Sequence, residues 1–134
     1  MRSVSFPYLE YRQRKAPIVP VALKGKNEWK QTTAYVDSGA TYSIFKVEEA
    51  ERLGLNLKSG KKDFVVVGDG SYIPIYLHRL TVKIGDEELK ATIAFSPNLG
   101  VGFNLLGRKD IFSHFDVTFS DSKERITFTS TKSS

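Results

Sequence analysis

Asp37 stands in the stretch AYVDSGATYSIF (34–45), where an acid, a small hydroxyl residue, a glycine and an alanine interrupt a run that otherwise reads as a buried strand. Asp, Ser and Gly are frequent turn formers, so a plain turn is the simplest reading. The flanks argue against it: TAYV and ATYSIF are too apolar for an exposed hairpin tip, and loops with buried flanks tend to carry function. A carboxylate beside a core needs a partner or a purpose, and acid–base chemistry is what it has to offer.

Other chemistries fit less well. The stretch GVGFNLLGRKD spaces Gly102 and Gly107 as a phosphate-binding loop would. Arg108 and Lys109 then stand where Lys and Ser or Thr are required, and Leu105 and Leu106 do not suit a phosphate cradle. NLLG reads instead as an apolar strand ending at a glycine where another backbone passes close. The chain has no cysteine, which excludes disulfides, thiolate nucleophiles and cysteine-based zinc sites. His78 and His114 lack the i, i+4 spacing of a helical zinc motif, so no metal or other cofactor is expected.

The elements that must position Asp37 are short strands. PIVPVAL (17–23), a KGKN turn and EWKQTTAYV (28–36) form a hairpin leading into the acid. VEEAERLGL follows as a short helix, with Glu48 and Glu49 near its start, Arg52 near its end and Gly54 just beyond. DFVVV (63–67), the glycine-flanked tip Gly68-Asp69-Gly70 and SYIPIYLHRLTVKI (71–84) make a second hairpin. LKATIAFS (89–96) is a further strand, PNLGVGF a glycine-rich loop, and Ile111, Phe112 and Phe115 suit a helix of one or two turns. DVTFSDSKERITFT closes as a hairpin, and the tail STKSS is expected to be disordered. Short strands at turn intervals with two small helices argue for a compact all-β barrel.

With 134 residues the chain has room for one modest core. Its 40% hydrophobic and 26% charged residues are ordinary for a globular protein. No apolar run approaches the roughly 18 residues of a membrane span, and the first residues lack the apolar core of a signal peptide. A cytoplasmic setting and no membrane partner are the resulting expectations. The net charge of +5 is scattered over loops, at Arg12, Arg14 and Lys15, at Lys24, Lys26 and Lys30, and at Lys58, Lys61 and Lys62. Nucleic-acid binding is a minor alternative, because nothing resembles a recognition helix or a base-stacking strand.

Taken together, the apolar run into Asp37-Ser38-Gly39-Ala40 and the downstream Leu105-Leu106-Gly107-Arg108 resemble the retropepsin-like aspartic proteases. The order of parts agrees over residues 12–130: an opening hairpin, DSGAT, a flap-like hairpin around Gly68-Asp69-Gly70, NLLGRKDIF and a final hairpin. The resemblance implies a closed all-β acid-protease barrel with one or two short helices. Residues 1–11 would then be an N-terminal extension, 12–130 the protease domain and 131–134 a disordered tail.

The resemblance also implies roles. Asp37 matches the catalytic aspartate, and Ser38 the hydroxyl residue that braces the two active-site loops across a dimer. Gly39 lets a substrate backbone approach, while Ala40, Thr41 and the tip residues Gly68, Asp69 and Gly70 face substrate. Leu105, Leu106 and Gly107 support the catalytic loop. Arg108 matches an arginine whose usual acidic partner falls at Thr41 here, so Asp110 or a second subunit must serve instead. Asp69 replaces the usual glycine-rich tip, and two such acids facing each other would repel as pH rises. Ile44, Val67, Ile73, Ile75, Val101 and Phe103 are candidate cleft residues, each equally suited to the core.

The mechanism of such an enzyme needs two carboxylates sharing one proton. The chain carries one Asp-Ser-Gly and no internal repeat, so a homodimer with an Asp37 from each copy is required. VSFPYLEY (4–11) and RITFT (125–129) have strand character fit for a dimer sheet, the former being alternatively a loose extension. The expected activity is an aspartic endopeptidase acting on extended polypeptides without cofactor. The alternative is a noncatalytic module of the same fold that binds extended peptides or mediates assembly.

Overall fold

In the computed structural model, which describes residues 2–131, the opening segment already pairs with the far end of the chain. Strand β1 (Ser3–Pro7) runs antiparallel to β12 (Arg125–Ser130), which pairs on its other side with β11 (Phe115–Ser120). Residues 3–7 are therefore part of an intrachain three-stranded sheet with order β1-β12-β11 and do not hang loose. Strands β2 (Leu9–Tyr11) and β3 (Arg14–Ala16) form a small hairpin of their own. The apolar residues of β12 alternate as the pleat demands: Ile126 and Phe128 are buried, with exposed or half-buried neighbours between them.

The main sheet has seven strands: β4 (Ile18–Lys24), β5 (Trp29–Val36), β6 (Ser43–Lys46), β7 (Lys61–Val66), β8 (Tyr72–Ile84), β9 (Glu87–Ser96) and β10 (Asn104–Leu106). Their spatial order is β4-β5-β10-β6-β9-β8-β7, and β4 also meets β8 through Ala22↔Lys83 and Leu23↔Val82. Val19, Leu23, Phe45, Ile84, Ile93, Phe95 and Leu106 are fully enclosed in the core this arrangement creates. The described residues are thus all-β with one α-helix among them, α1 (Val47–Arg52). That helix has no side-chain N-cap, carries Glu48 and Glu49 in its first turn, and stops at Gly54, whose φ of 73° suits a residue without a Cβ. Among the described residues no helix is long and apolar enough to cross a membrane.

Two sequence expectations need correction. Residues 109–114 form successive turns, not a helix. Asp110 takes a left-handed φ of 67° because its carboxylate is drawn out to the Thr92 N–H at 2.8 Å and to Arg79 at 2.8 Å. Only isolated turns survive on either side, such as Phe112 N–H to the Arg108 carbonyl at 2.9 Å. The tail is ordered further than expected: Ser130 belongs to β12, and Thr131 donates its N–H to the His114 carbonyl at 3.0 Å. Residues 132–134 of the expected disordered tail lie outside the described residues.

Candidate active site

Strand β5 ends at Val36, and the chain turns at once through Asp37-Ser38-Gly39-Ala40. The turn is fixed from both sides. The Asp37 N–H donates to the Leu106 carbonyl at 2.9 Å, the Asp37 carbonyl accepts from the Ala40 N–H at 3.2 Å, and Asp37 Oδ1 accepts from the Gly39 N–H at 2.9 Å. One carboxylate oxygen is therefore held by its own loop. A Cβ on Gly39 would lie 3.3 Å from that oxygen, which is tight for any larger residue. Asp37 is half-buried, while Ser38 and Gly39 are exposed.

Strand β10 supplies the brace. It runs parallel to β5, with Leu105 beside Tyr35 and Leu106 beside Val36, and meets β6 at Leu105↔Ile44. Leu106 and Gly107 are buried, and Leu105 is half-buried. A Cβ at Gly107 would fall 2.3 Å from the Tyr42 carbonyl oxygen and 2.8 Å from that of Ala40, so only glycine fits there. Beyond it, Arg108 and Lys109 donate their N–H groups to the carbonyls of Ala40 at 2.9 Å and Thr41 at 2.8 Å. The Asp37 loop is sewn down along its whole length.

Arg108 does not pair with Asp110. Its guanidinium donates to the Ser38 carbonyl at 3.1 Å and lies over the Phe112 ring, 4.8 Å from the centroid. Asp110 is taken by Arg79 at 2.8 Å.

A cleft of about 740 Å³ opens in front of Asp37. Its floor includes Gly39, Ala40 and Thr41, and the β7–β8 hairpin walls it through Val65, Val66, Val67, Gly68 and Asp69. The loop Asn98–Val101 and the side chains of Tyr42, Ile44 and Leu105 complete the lining. Of the residues expected to face substrate, Ala40, Thr41, Gly68 and Asp69 share this cleft with Asp37. Gly70 does not line it; with a φ of 85° it makes the hairpin turn, donating to the Val67 carbonyl at 2.8 Å. Ser38 faces a neighbouring hollow with Tyr8, Tyr35 and Asp121. Among the candidate apolar residues Ile44, Val67 and Val101 line the cleft. Ile73 and Ile75 are buried, and Phe103 stacks on Tyr35 with ring centroids 4.9 Å apart.

At the hairpin tip, the Asp69 carboxylate accepts from the Ser71 hydroxyl and, at 2.9 Å, from the Ser71 N–H. These bonds, the hydroxyl first, hold its carboxyl below the usual carboxylate range. Any repulsion between two such tips would consequently set in at lower pH than for an unperturbed aspartate.

Two polar residues that sequence reasoning passed over position the site from behind. Ser43 is fully buried, and its Oγ accepts from the Gly107 N–H at 3.0 Å. Asn104 is buried at the start of β10; its amide donates to the Thr33 carbonyl at 2.9 Å and to Glu49 at 3.0 Å, and its oxygen accepts from the Lys46 N–H at 2.9 Å. Buried polar groups are costly unless bonded in this way. Their signal was a serine and an asparagine inside apolar runs. Among the described residues no three His, Cys, Asp or Glu side chains come together to hold a metal ion. His78 bonds the Leu57 carbonyl and His114 bonds Glu87.

Residues 19–109 match the aspartyl protease family, and the chain belongs to it. Within that class, its fold is similar to that of a retropepsin-like aspartic protease from Rickettsia conorii, with a TM-score of 0.69, 17% identity, and coverage of 95% of this chain and 98% of that one. It is also similar to EIAV protease complexed with the inhibitor HBY-793, with a TM-score of 0.55, 20% identity, and coverage of 78% of this chain and 92% of that one. These likenesses identify the fold as retropepsin-like. No curated protein matches the chain.

Proposed function

We propose that this chain is an aspartic endopeptidase that cleaves extended polypeptides as a homodimer, with one Asp37 from each subunit forming the catalytic pair. The observation that carries the reading is the setting of Asp37: a half-buried carboxylate held through Oδ1 by Gly39, on a loop tied to Leu106, at the foot of an apolar-walled cleft. That much rigidity is what a group needs if it is to meet a reacting atom in fixed geometry.

One carboxylate alone cannot supply both proton transfers. Two carboxylates about 3 Å apart cannot both ionise, so in aspartic proteases generally the pair holds one proton between them. The ionised Asp37 takes a proton from water as the water oxygen bonds to the peptide carbonyl carbon. Asp37 of the partner subunit gives its proton to the carbonyl oxygen. As the resulting diol collapses, the first carboxyl protonates the departing nitrogen, the C–N bond breaks, and the diol returns a proton to the second. The pair ends with the one proton it began with.

In this reading the β7–β8 hairpin is the flap and the substrate lies beneath it as an added strand, its alternate side chains entering apolar pockets. Ser38, exposed beside Asp37, braces the two loops across the two-fold axis. The test is cleavage of a diverse unfolded-peptide mixture between about pH 3.5 and 7, a span that covers carboxyl titration, by the native protein and by Asp37→Asn. Cleavage by the native protein and none by the variant is expected. Equal cleavage by both, or none by a demonstrated dimer, would reject the proposal, the latter in favour of a peptide-binding module.

A further inference from the structure

Among the described residues that line the cleft two are charged, and both are acids: Asp37 at its foot and Asp69 at the hairpin tip; Thr41, Tyr42 and Asn98 are its neutral polar residues, and the rest are apolar or glycine. No lysine or arginine lines it, although the chain as a whole carries a net charge of +5. The Asp37 carboxylate is held by the Gly39 N–H, whereas that of Asp69 is held by Ser71. No salt bridge reaches it among the described residues, whereas Glu28, Glu49, Glu87 and Asp110 each hold a Lys, Arg or His. The two hydrogen bonds from Ser71, N–H and hydroxyl, both fall on Oδ1. The carboxylate is thus oriented by Ser71 and exposed.

We infer that Asp69 is a specificity-determining residue, selecting extended peptides that carry Lys or Arg opposite the hairpin tip while the Val65, Leu99 and Val101 walls take apolar neighbours. The inference rests on the peptide-cleft reading above. A cation entering here meets a carboxylate already turned toward one side by Ser71, and gives up little hydration because the site is open. An acidic side chain at the same position meets repulsion from both Asp69 and the ionised member of the catalytic pair. The Ser71 bonds lower the Asp69 carboxyl below the usual carboxylate range, which favours its charged form.

The experiment uses a peptide series identical except for Lys, Gln or Glu placed in turn at each position around a cleaved bond. In the full chain, kcat/KM is expected to follow Lys > Gln > Glu at one position at least, by about two- to fivefold per step, the range of an exposed ion pair. The spread should shrink as salt is raised. Asp69→Asn, which keeps the Oδ1 acceptor for Ser71, should collapse the order; Ser71→Ala, which keeps the charge, should retain it. The same peptides, fluorescently labelled, are titrated against Asp37→Asn protein and read by anisotropy. Preferential binding of the Lys peptide through Asp69 without any cleavage by the native chain would uphold the specificity and reject the endopeptidase reading. Asp37-dependent cleavage with no charge order, or an order that survives Asp69→Asn, would overturn the specificity and leave the endopeptidase reading intact. Failure to bind or cut any of the peptides would overturn both.

Discussion

The Arg108 guanidinium donates to the Ser38 carbonyl at 3.1 Å while resting on the Phe112 ring. The arginine therefore acts on the Asp37 loop through backbone and not through a carboxylate. A planar, stacked cation in that place is not replaced by a lysine, which is a point charge on a flexible stem. Arg108→Lys and Arg108→Ala are both expected to lower stability, by about 1 kcal/mol, the scale of one hydrogen bond to a charged group discounted for exposure. Both should also lower cleavage, because the loop next to Asp37 loosens. Urea midpoints read the first effect and kcat/KM the second; a lysine variant equal to the native chain in both would reject the stacked-brace account.

Gly107 makes the sharper steric claim. Its missing Cβ leaves room for two carbonyl oxygens of the Asp37 loop, at 2.3 and 2.8 Å from where the Cβ would be. Backbone cannot move aside as a side-chain tip can, so Gly107→Ala is expected to cost about 3 kcal/mol, the upper part of the overpacking range. Gly68→Ala is the control: nothing lies within 4 Å of its Cβ and its φ is not positive, so its stability should stay within about 0.5 kcal/mol of native or rise slightly. Comparable destabilisation of the two variants in urea titrations would show that the close approach at Gly107 is not what requires glycine.

Acid should loosen the fold through two buried-edge carboxylates. Burial alone would raise Asp110, but the Thr92 N–H at 2.8 Å and the charge of Arg79 outweigh it and hold its carboxyl below the ordinary range. At Glu87, burial is likewise outweighed, by hydrogen bonds from Ser130 at 2.7 Å and from His114 and by the charge of Arg2 at 3.0 Å. Each folded value lies below its unfolded one, so each group's contribution is fully present above the unfolded range and is lost as pH falls through the lowered folded value. Urea midpoints are expected to hold from pH 7 to about 5 and then fall below roughly pH 4.5. Asp110→Asn and Glu87→Gln should be less stable at pH 7 and show a flatter acid limb. Acid limbs parallel to that of the native protein would contradict these assignments.

The parts of the candidate site that the sequence discloses are those where local chemistry leaves little choice. Asp37-Ser38-Gly39 stands out because apolar flanks on both sides forbid an ordinary exposed turn, and Gly107 because an apolar strand rarely ends on glycine without a close neighbour. What stays hidden depends on groups brought together from afar. The partner of Arg108 is a carbonyl, which no residue type advertises. The helix suggested by Ile111, Phe112 and Phe115 fails because Asp110 is drawn to Thr92 and Arg79, eighteen or more positions upstream. Ile73 and Val67 look alike as strand residues, yet the hairpin buries one and turns the other to the cleft, and alternation alone does not say which face is which. Asn104 and Ser43 are recognisable only as polar residues in apolar company until their bonds are seen.

The proposed pairing of Asp37 across two subunits makes a prediction for mixed dimers. If each active centre takes one Asp37 from each of two chains, Asp37→Asn protein should poison the native protein by forming mixed dimers that hold a single carboxylate. With the amount of native chain held fixed and subunits freely exchanging, an equal amount of variant should cut activity to about half, and a ninefold excess to about a tenth, as random pairing of identical interfaces requires. Dilution of the native protein alone should lower activity per chain once the concentration falls below the dimer dissociation constant. Sedimentation velocity over the same concentrations ties the loss to dissociation. Activity proportional to native chain, indifferent to both dilution and added variant, would mean that a single Asp37 suffices, and the two-carboxylate mechanism would have to be abandoned for this chain.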